Sequence, residues 1–94
     1  MTLDITNVRL TAAPEEEHAN GLLGWITCSL NGAIQLDGLA LRRTLGGDLS
    51  ISFPCRKDAS GRQHFYSRPL NEEAREEVEW QILRALGFEE EIDE

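Results

Sequence analysis

The chain has 94 residues, a formal net charge of −8 and no apolar run long enough to span a membrane. At this length we expect one small domain with a single hydrophobic core. The N-terminus lacks the basic and then apolar pattern of a signal peptide, which predicts a soluble, cytoplasmic protein without a membrane partner. Cys28 and Cys55 lie in or next to predicted strands and not in a spaced framework, so we expect reduced thiols and no disulfide scaffold.

Alternating apolar and polar residues predict four or five antiparallel strands. They cover residues 3–10, 22–30, 33–43, 48–54 and 62–67, and a loop is predicted at residues 11–21. Asn31-Gly32 predicts a type I′ turn, because both central positions of that turn need a positive φ. Asp37-Gly38 predicts a bulge or bend. Pro54 ends a strand because proline has no N–H for a central ladder.

A single helix is predicted after the strands. Asn71 is a favourable N-cap, and Gly87 is placed as the C′ residue of a Schellman-type stop. Trp80 lies off the apolar face, so it either contacts a partner or stacks on Arg84 one turn later. The face predicted to pack on the sheet contains Ala74, Val78, Ile82, Ala85 and Leu86. The elements predict a two-layer α+β domain, an antiparallel sheet of four to five strands with one C-terminal helix packed on it.

Charge is segregated along the chain. The acidic residues at 15–17 and 89–94 number eight, which accounts for the whole net charge. Acidic runs at a loop and a terminus are typical of solvated segments, so we predict a domain at residues 1–88 and a disordered acidic tail at residues 89–94. Residues 40–68 carry a local charge of +4, whereas residues 71–87 carry a local charge of −3.

The basic charge is concentrated around one predicted turn, where residues 53–65 read FPCRKDASGRQHF. A hairpin would bring Arg56, Lys57 and Arg62 together as a candidate phosphate site. Arg42 and Arg43, or Arg68, are candidates for its extension. The alternative is an ordinary solvated hairpin, because cationic strand ends also discourage edge aggregation and pair with helix glutamates.

Other chemistry has little support in the sequence. Cys55 and His64 lie near the two ends of one hairpin, but no motif supplies an orienting group or an oxyanion hole, so we expect no enzyme. The two cysteines and two histidines lack the spacing of metal ligands, so we expect no metal site and no cofactor. Phe65 and Tyr66 are the aromatic residues near the turn, and alternation places them on opposite faces, which gives base stacking only weak support.

Several stretches also follow one another in a recognisable order. They are ITNVRL at residues 5–10, the strand-NG-strand hairpin, GGDLSISFPCRKDASG at residues 46–61, Arg68-Pro69-Leu70, and NEEAREEVEWQIL at residues 71–83. Together they resemble the septation protein SpoVG family (stage V sporulation protein G). The most specific part is Gly-x-Leu-x-Ile-x-x-Pro-x-Arg-Lys, which ends at Lys57. The resemblance implies a small cytoplasmic bacterial regulator that forms homodimers through its sheet and binds DNA or RNA without catalysis.

The helix departs from this family, whose members tend to carry basic residues there. Residues 71–87 hold five glutamates against Arg75 and Arg84, and such a surface repels a phosphate backbone. We therefore place the predicted nucleic-acid contacts mainly on the basic turn. The full predicted set is Arg56, Lys57, Arg62, Arg42, Arg43 and Arg75.

Two functional hypotheses follow from the sequence. In the first, a homodimer binds DNA or RNA, and dimerisation covers the edges and the face that a small sheet leaves open. In the second, the protein is an adaptor whose acidic helix and Trp80 engage a basic protein partner without nucleic acid.

Overall fold

The computed structural model describes residues 2–88, so the predicted acidic tail lies outside the described residues. Within that range the chain forms six strands and two helices. In chain order they are β1 (Ile5–Ala12), α1 (Glu15–His18), β2 (Leu22–Leu30), β3 (Ile34–Arg43), β4 (Leu49–Ser52), β5 (Cys55–Lys57), β6 (Gln63–Phe65) and α2 (Glu72–Ala85). The single turn of α1 lies inside the predicted loop, where three consecutive glutamates occupy the first turn and favour the positive end of its dipole.

The strands form two separate sheets. β1, β2, β3 and β4 make an antiparallel sheet in that spatial order, and β5 pairs only with β6. With α2 packed on the larger sheet, the predicted two-layer α+β fold is confirmed. The last predicted strand does not join the main sheet, because Pro54 interrupts the chain between β4 and β5 and the segment that follows forms its own hairpin.

The predicted turns and caps are confirmed in detail. Asn31 and Gly32 have φ values of 53° and 64°, as a type I′ turn requires. The Asn71 side chain accepts a backbone N–H from the first turn of α2 at 2.8 Å. At the other end Gly87 has a φ of 83°, and the Phe88 N–H donates to a carbonyl in the last turn at 2.9 Å.

The predicted bulge in β3 determines which residues face the helix. Asp37 and Gly38 together lie opposite Thr27 of β2, and Gly38 has a φ of 73°. Leu36 and Leu39 are three positions apart, so a regular strand would send their side chains to opposite faces. The extra residue restores them to the same face, and both are buried.

The core lies between α2 and one face of the larger sheet. Of the predicted helix face, Ala74, Val78 and Ile82 are buried and Leu86 is half-buried. Ala85 is exposed, contrary to the prediction, and Leu83 packs against the core in the same turn. Neither α1 nor α2 has the length and apolar character that a bilayer-spanning helix needs.

Two polar side chains of α2 hydrogen-bond to the outer strands of the sheet. On the β1 side, the Gln81 amide accepts from the Ile5 N–H and donates to the Leu3 carbonyl, both at 2.8 Å. On the β4 side, the Glu79 carboxylate accepts from the Ile51 N–H at 3.0 Å. Backbone groups at sheet edges otherwise pair with water or with another chain, so α2 satisfies part of both edges.

Candidate nucleic-acid interface

The predicted basic turn lies on the β5–β6 hairpin. Side chains of directly paired residues share a face, and successive pairs alternate between faces. Lys57 therefore lies on the same side as Cys55 and Phe65, whereas Arg56 lies on the opposite side. The three cross-strand pairs are Cys55 with Phe65, Arg56 with His64, and Lys57 with Gln63.

The turn is organised by the carboxylate of Asp58. Its Oδ1 accepts from the Ser60 N–H at 2.9 Å, the Ser60 hydroxyl at 2.7 Å and the Arg62 N–H at 3.0 Å. Its Oδ2 lies 2.7 Å from His64 Nε2. The hydrogen bonds from His64 and then Ser60 hold the pKa of Asp58 well below its usual range. Aspartate side chains in turns often accept from the backbone N–H two residues later, so Asp58 in the turn DASG could have been assigned this role from the sequence.

The three cations of the hairpin are exposed and carry no ion pair within the described part of the chain. Arg56, Lys57 and Arg62 all present their side chains to solvent. Pairing with helix glutamates was part of the solvated-hairpin alternative, and between residues 2 and 88 these three side chains make no such pair. The ion pairs found there are His64–Asp58, Arg75–Glu72 and Arg75–Glu79.

Arg75 is held between two carboxylates of its own helix. Its guanidinium binds Glu72, with Nε at 3.1 Å from Oε2, and its second contact is to Glu79 at 3.0 Å. The hydrogen bond to Glu72 and the charge of Glu79 raise the pKa of Arg75, and the same hydrogen bond lowers the pKa of Glu72. Glu79 also accepts from the Ile51 N–H at the edge of β4, so Arg75 helps to hold α2 on that edge. Its positive charge is already paired with two carboxylates, unlike the charges of the hairpin cations among residues 2–88.

Arg42 and Arg43 are neighbours in sequence but lie on opposite faces of the sheet. The Arg42 side chain shares a face with that of Ala40, two positions earlier, and α2 leaves this face uncovered. Arg43 lies on the other side, where its guanidinium donates to the Gly47 carbonyl at 3.1 Å and its neighbours include Phe88. The structure therefore brings Arg42 close to the hairpin and separates Arg43 from it.

A groove of about 790 Å³ lies between the hairpin, strands β3 and β4, and the start of α2. The Arg68 guanidinium carbon is 5.5 Å from the centroid of the Phe65 ring, a cation–π contact. The sequence offered Arg68 as a possible extension of the basic turn, but alternation alone could not show that Phe65 contacts Arg68 in this groove. The charged and aromatic residues that line the groove are Arg42, Phe53, Phe65, Arg68, Glu72 and Arg75.

The acidic face of α2 lies outside this groove. Glu73 and Glu77 line a separate cleft beside residues 2–3. Trp80 stacks with Arg84, whose guanidinium carbon is 5.0 Å from the ring centroid, so the stacking alternative is confirmed. The Trp80 side chain is still 43% exposed, and its contact with a protein partner stays a prediction.

The considered thiol–imidazole pair is not brought together. Cys55 accepts from the Gln63 side chain at 3.3 Å, whereas His64 lies on the opposite face of the hairpin and binds the turn carboxylate. Burial raises the pKa of the Cys28 thiol in the core. Among residues 2–88, no three His, Cys, Asp or Glu side chains are grouped to hold a metal ion.

Comparison with known proteins does not add a family to these observations. No model of a protein family matches the chain, and no curated protein matches it with significant similarity. The resemblance to SpoVG therefore stays a prediction, based on the motif at residues 47–57 and the stretches around it.

Proposed function

We propose that this protein is a non-catalytic regulator that binds DNA or RNA, mainly through phosphate contacts from the β5–β6 hairpin. The observation that supports it is the exposed charge of Arg56, Lys57 and Arg62, none of which forms an ion pair with another residue in the range 2–88. A cation that reaches a phosphate releases a condensed counterion, which is the main source of sequence-independent affinity. A cation already paired with a carboxylate has less to gain from such a contact.

The rest of the molecule limits this binding. The chain carries a net charge of −8, and its acidic helix face repels phosphate. We therefore expect weak, salt-sensitive binding with modest sequence preference, because phosphate contacts position a protein and do not read bases. The groove cations Arg42 and Arg68 extend the surface, whereas Arg43 lies on the far side of the sheet.

Removal of two hairpin cations tests the proposal. Arg56→Gln/Lys57→Gln should weaken binding of labelled DNA about tenfold at low salt and lower the slope of log affinity against log salt by about 1.8. The matched control is Arg84→Glu, which takes the net charge from −8 to the same −10 on the helix surface. We expect this control to keep the wild-type slope. Fluorescence anisotropy at several salt concentrations measures both quantities, with DNA and RNA probes.

Two results would contradict the proposal. In the first, both variants lose affinity equally, and the effect then follows net charge and not the hairpin. In the second, the wild-type protein binds no oligonucleotide at low salt. The adaptor hypothesis then becomes the next to test, by capture of protein partners from a nuclease-treated extract with wild-type protein and a Trp80→Ala variant.

We also expect a homodimer formed through the uncovered face of the sheet. Trp25 is 40% exposed there, beside Thr11 and Thr27 on the β1–β2 half of that face, and the groove lies away from it, against β3 and β4. Two such faces paired across a two-fold axis would bury both rings. Sedimentation velocity should give twice the monomer mass for wild type and monomer mass for Trp25→Ser. A wild-type monomer across the micromolar range would rule this out.

A further inference from the structure

We infer that the groove beside the hairpin takes single-stranded nucleic acid, with one unpaired base stacked on the Phe65–Arg68 pair and neighbouring phosphates on Arg42 and Lys57. This inference rests on the proposed function. It adds the form of the nucleic acid and the side chains that contact a base.

The shape of the site favours an unpaired base. The groove has a volume of about 790 Å³, within the range of about 300–1,000 Å³ that is usual for sites binding small organic groups. It is lined by residues of β3 and β4, by the hairpin and by the start of α2. A duplex keeps its bases stacked inside and presents convex rows of phosphates, whereas a single strand can turn a base into a concave site.

Phe65 supplies a stacking surface in this groove. Its side chain is 41% exposed, and the Arg68 guanidinium already lies over the ring. Bases stack on aromatic rings and on guanidinium planes, so the pair offers a base both kinds of surface. Tyr66 is the next residue and is more exposed, but it does not line the groove.

The charges around this stacking surface are complementary to phosphate. Three arginines line the groove against one carboxylate, that of Glu72, which is already paired with Arg75. Arg42 has no carboxylate partner among residues 2–88, and Lys57 lies on the groove side of the hairpin. A base on Phe65 with its flanking phosphates near Arg42 and Lys57 satisfies both the aromatic and the cationic parts of the site.

The test compares one aromatic substitution with its neighbour. Phe65→Leu should weaken binding of a labelled single strand of about 15 nucleotides by at least about tenfold and change duplex binding by less than about twofold. Tyr66→Leu is the matched control, since it removes an adjacent exposed aromatic ring outside the groove, and we expect it to leave both affinities unchanged. Thermal unfolding confirms that both variants are folded.

A base-free strand provides a second measurement on the unaltered protein. Wild type should bind an abasic single strand more weakly than a normal strand, by the same factor that Phe65→Leu causes. Phe65→Leu should show no further loss on the abasic strand, because the two changes remove one interaction. The wild-type part of this comparison stays valid even if the variant is poorly folded.

The outcomes separate this inference from the proposed function. If Arg56→Gln/Lys57→Gln loses binding but Phe65→Leu does not, and wild type binds abasic and normal strands equally, the stacking site is wrong and the phosphate-binding hairpin stands. Equal wild-type affinity for duplex and single strand would also overturn the inference, and would leave phosphate contacts as the source of binding. If wild type binds no oligonucleotide at low salt, both are wrong.

Discussion

Replacement of Ile82 by alanine will lower the free energy of unfolding by about 2–5 kcal/mol. Ile82 is 0% exposed and lies in the core where α2 meets the sheet. The loss of stability has two parts: the removed methyl and methylene groups no longer leave water on folding, and a cavity remains between the two layers. The helix cannot move freely to close this cavity, because it is hydrogen-bonded to both outer strands. A domain of this size has a total stability of about 5–15 kcal/mol, so the effect is a large fraction of it.

Urea unfolding and thermal circular dichroism measure this change. The expected loss corresponds to a fall in Tm of at least about 8 °C, since about 1 kcal/mol shifts the Tm of a domain this small by 4–8 °C. Leu45→Ala is the matched control, because Leu45 is a fully exposed aliphatic residue in the β3–β4 turn, and its replacement should change stability by less than about 0.5 kcal/mol. Similar values for both variants would mean that α2 does not pack on the sheet as described.

Gly24→Ala will also destabilise the protein, by about 2–4 kcal/mol, for the opposite reason. Gly24 is buried on β2 between its partners on β1 and β3. An added Cβ would lie 2.5 Å from the Thr11 carbonyl oxygen, 2.9 Å from Leu10 Cδ1 and 3.3 Å from Ala12 Cα. The Leu10 side chain can rotate away, but the other two atoms belong to the backbone of β1. The steric clash can therefore be relieved only if β1 moves away from β2.

The control for this substitution is Gly46→Ala in the β3–β4 turn. The nearest atoms to a Cβ there are 3.9 Å and 4.0 Å away, which is ordinary van der Waals contact. We expect Gly46→Ala to leave stability within about 0.5 kcal/mol of wild type. Hydrogen exchange adds a local measurement, since Gly24→Ala should accelerate exchange of the β1 and β2 amides more than those of α2. Unchanged protection in β1 would show that its contact with β2 is looser than the structure has it.

The elements that the sequence predicted correctly depend on single residues or on short spacings. Asn31-Gly32 requires a backbone with positive φ, and Asn71 satisfies a helix N–H three residues away. Such preferences act within a few residues, so they are the same in any fold that contains them. The order of strands and the C-terminal helix could be predicted for the same reason, because each has its own period of apolar residues.

Predictions that needed two distant segments were incomplete. The sequence grouped Arg42 with Arg43, but alternation along β3 sends them to opposite faces, and only the packing of α2 decides which face stays open. It counted Glu79 among the glutamates of an acidic helix surface and made no prediction for Gln81, whereas both hydrogen-bond to the edges of the sheet. Periodicity identifies residues that share a face, and it does not identify what covers that face.

The candidate site shows the same division. The sequence by itself determined that the basic charge lies around residues 56–62, because charge is a property of composition that folding does not change. Only the tertiary structure decided that the hairpin leaves the main sheet, that its cations have no carboxylate partner among the described residues, and that Phe65 faces Arg68 in a groove. These features depend on how separate segments pack in three dimensions, which local propensity does not specify.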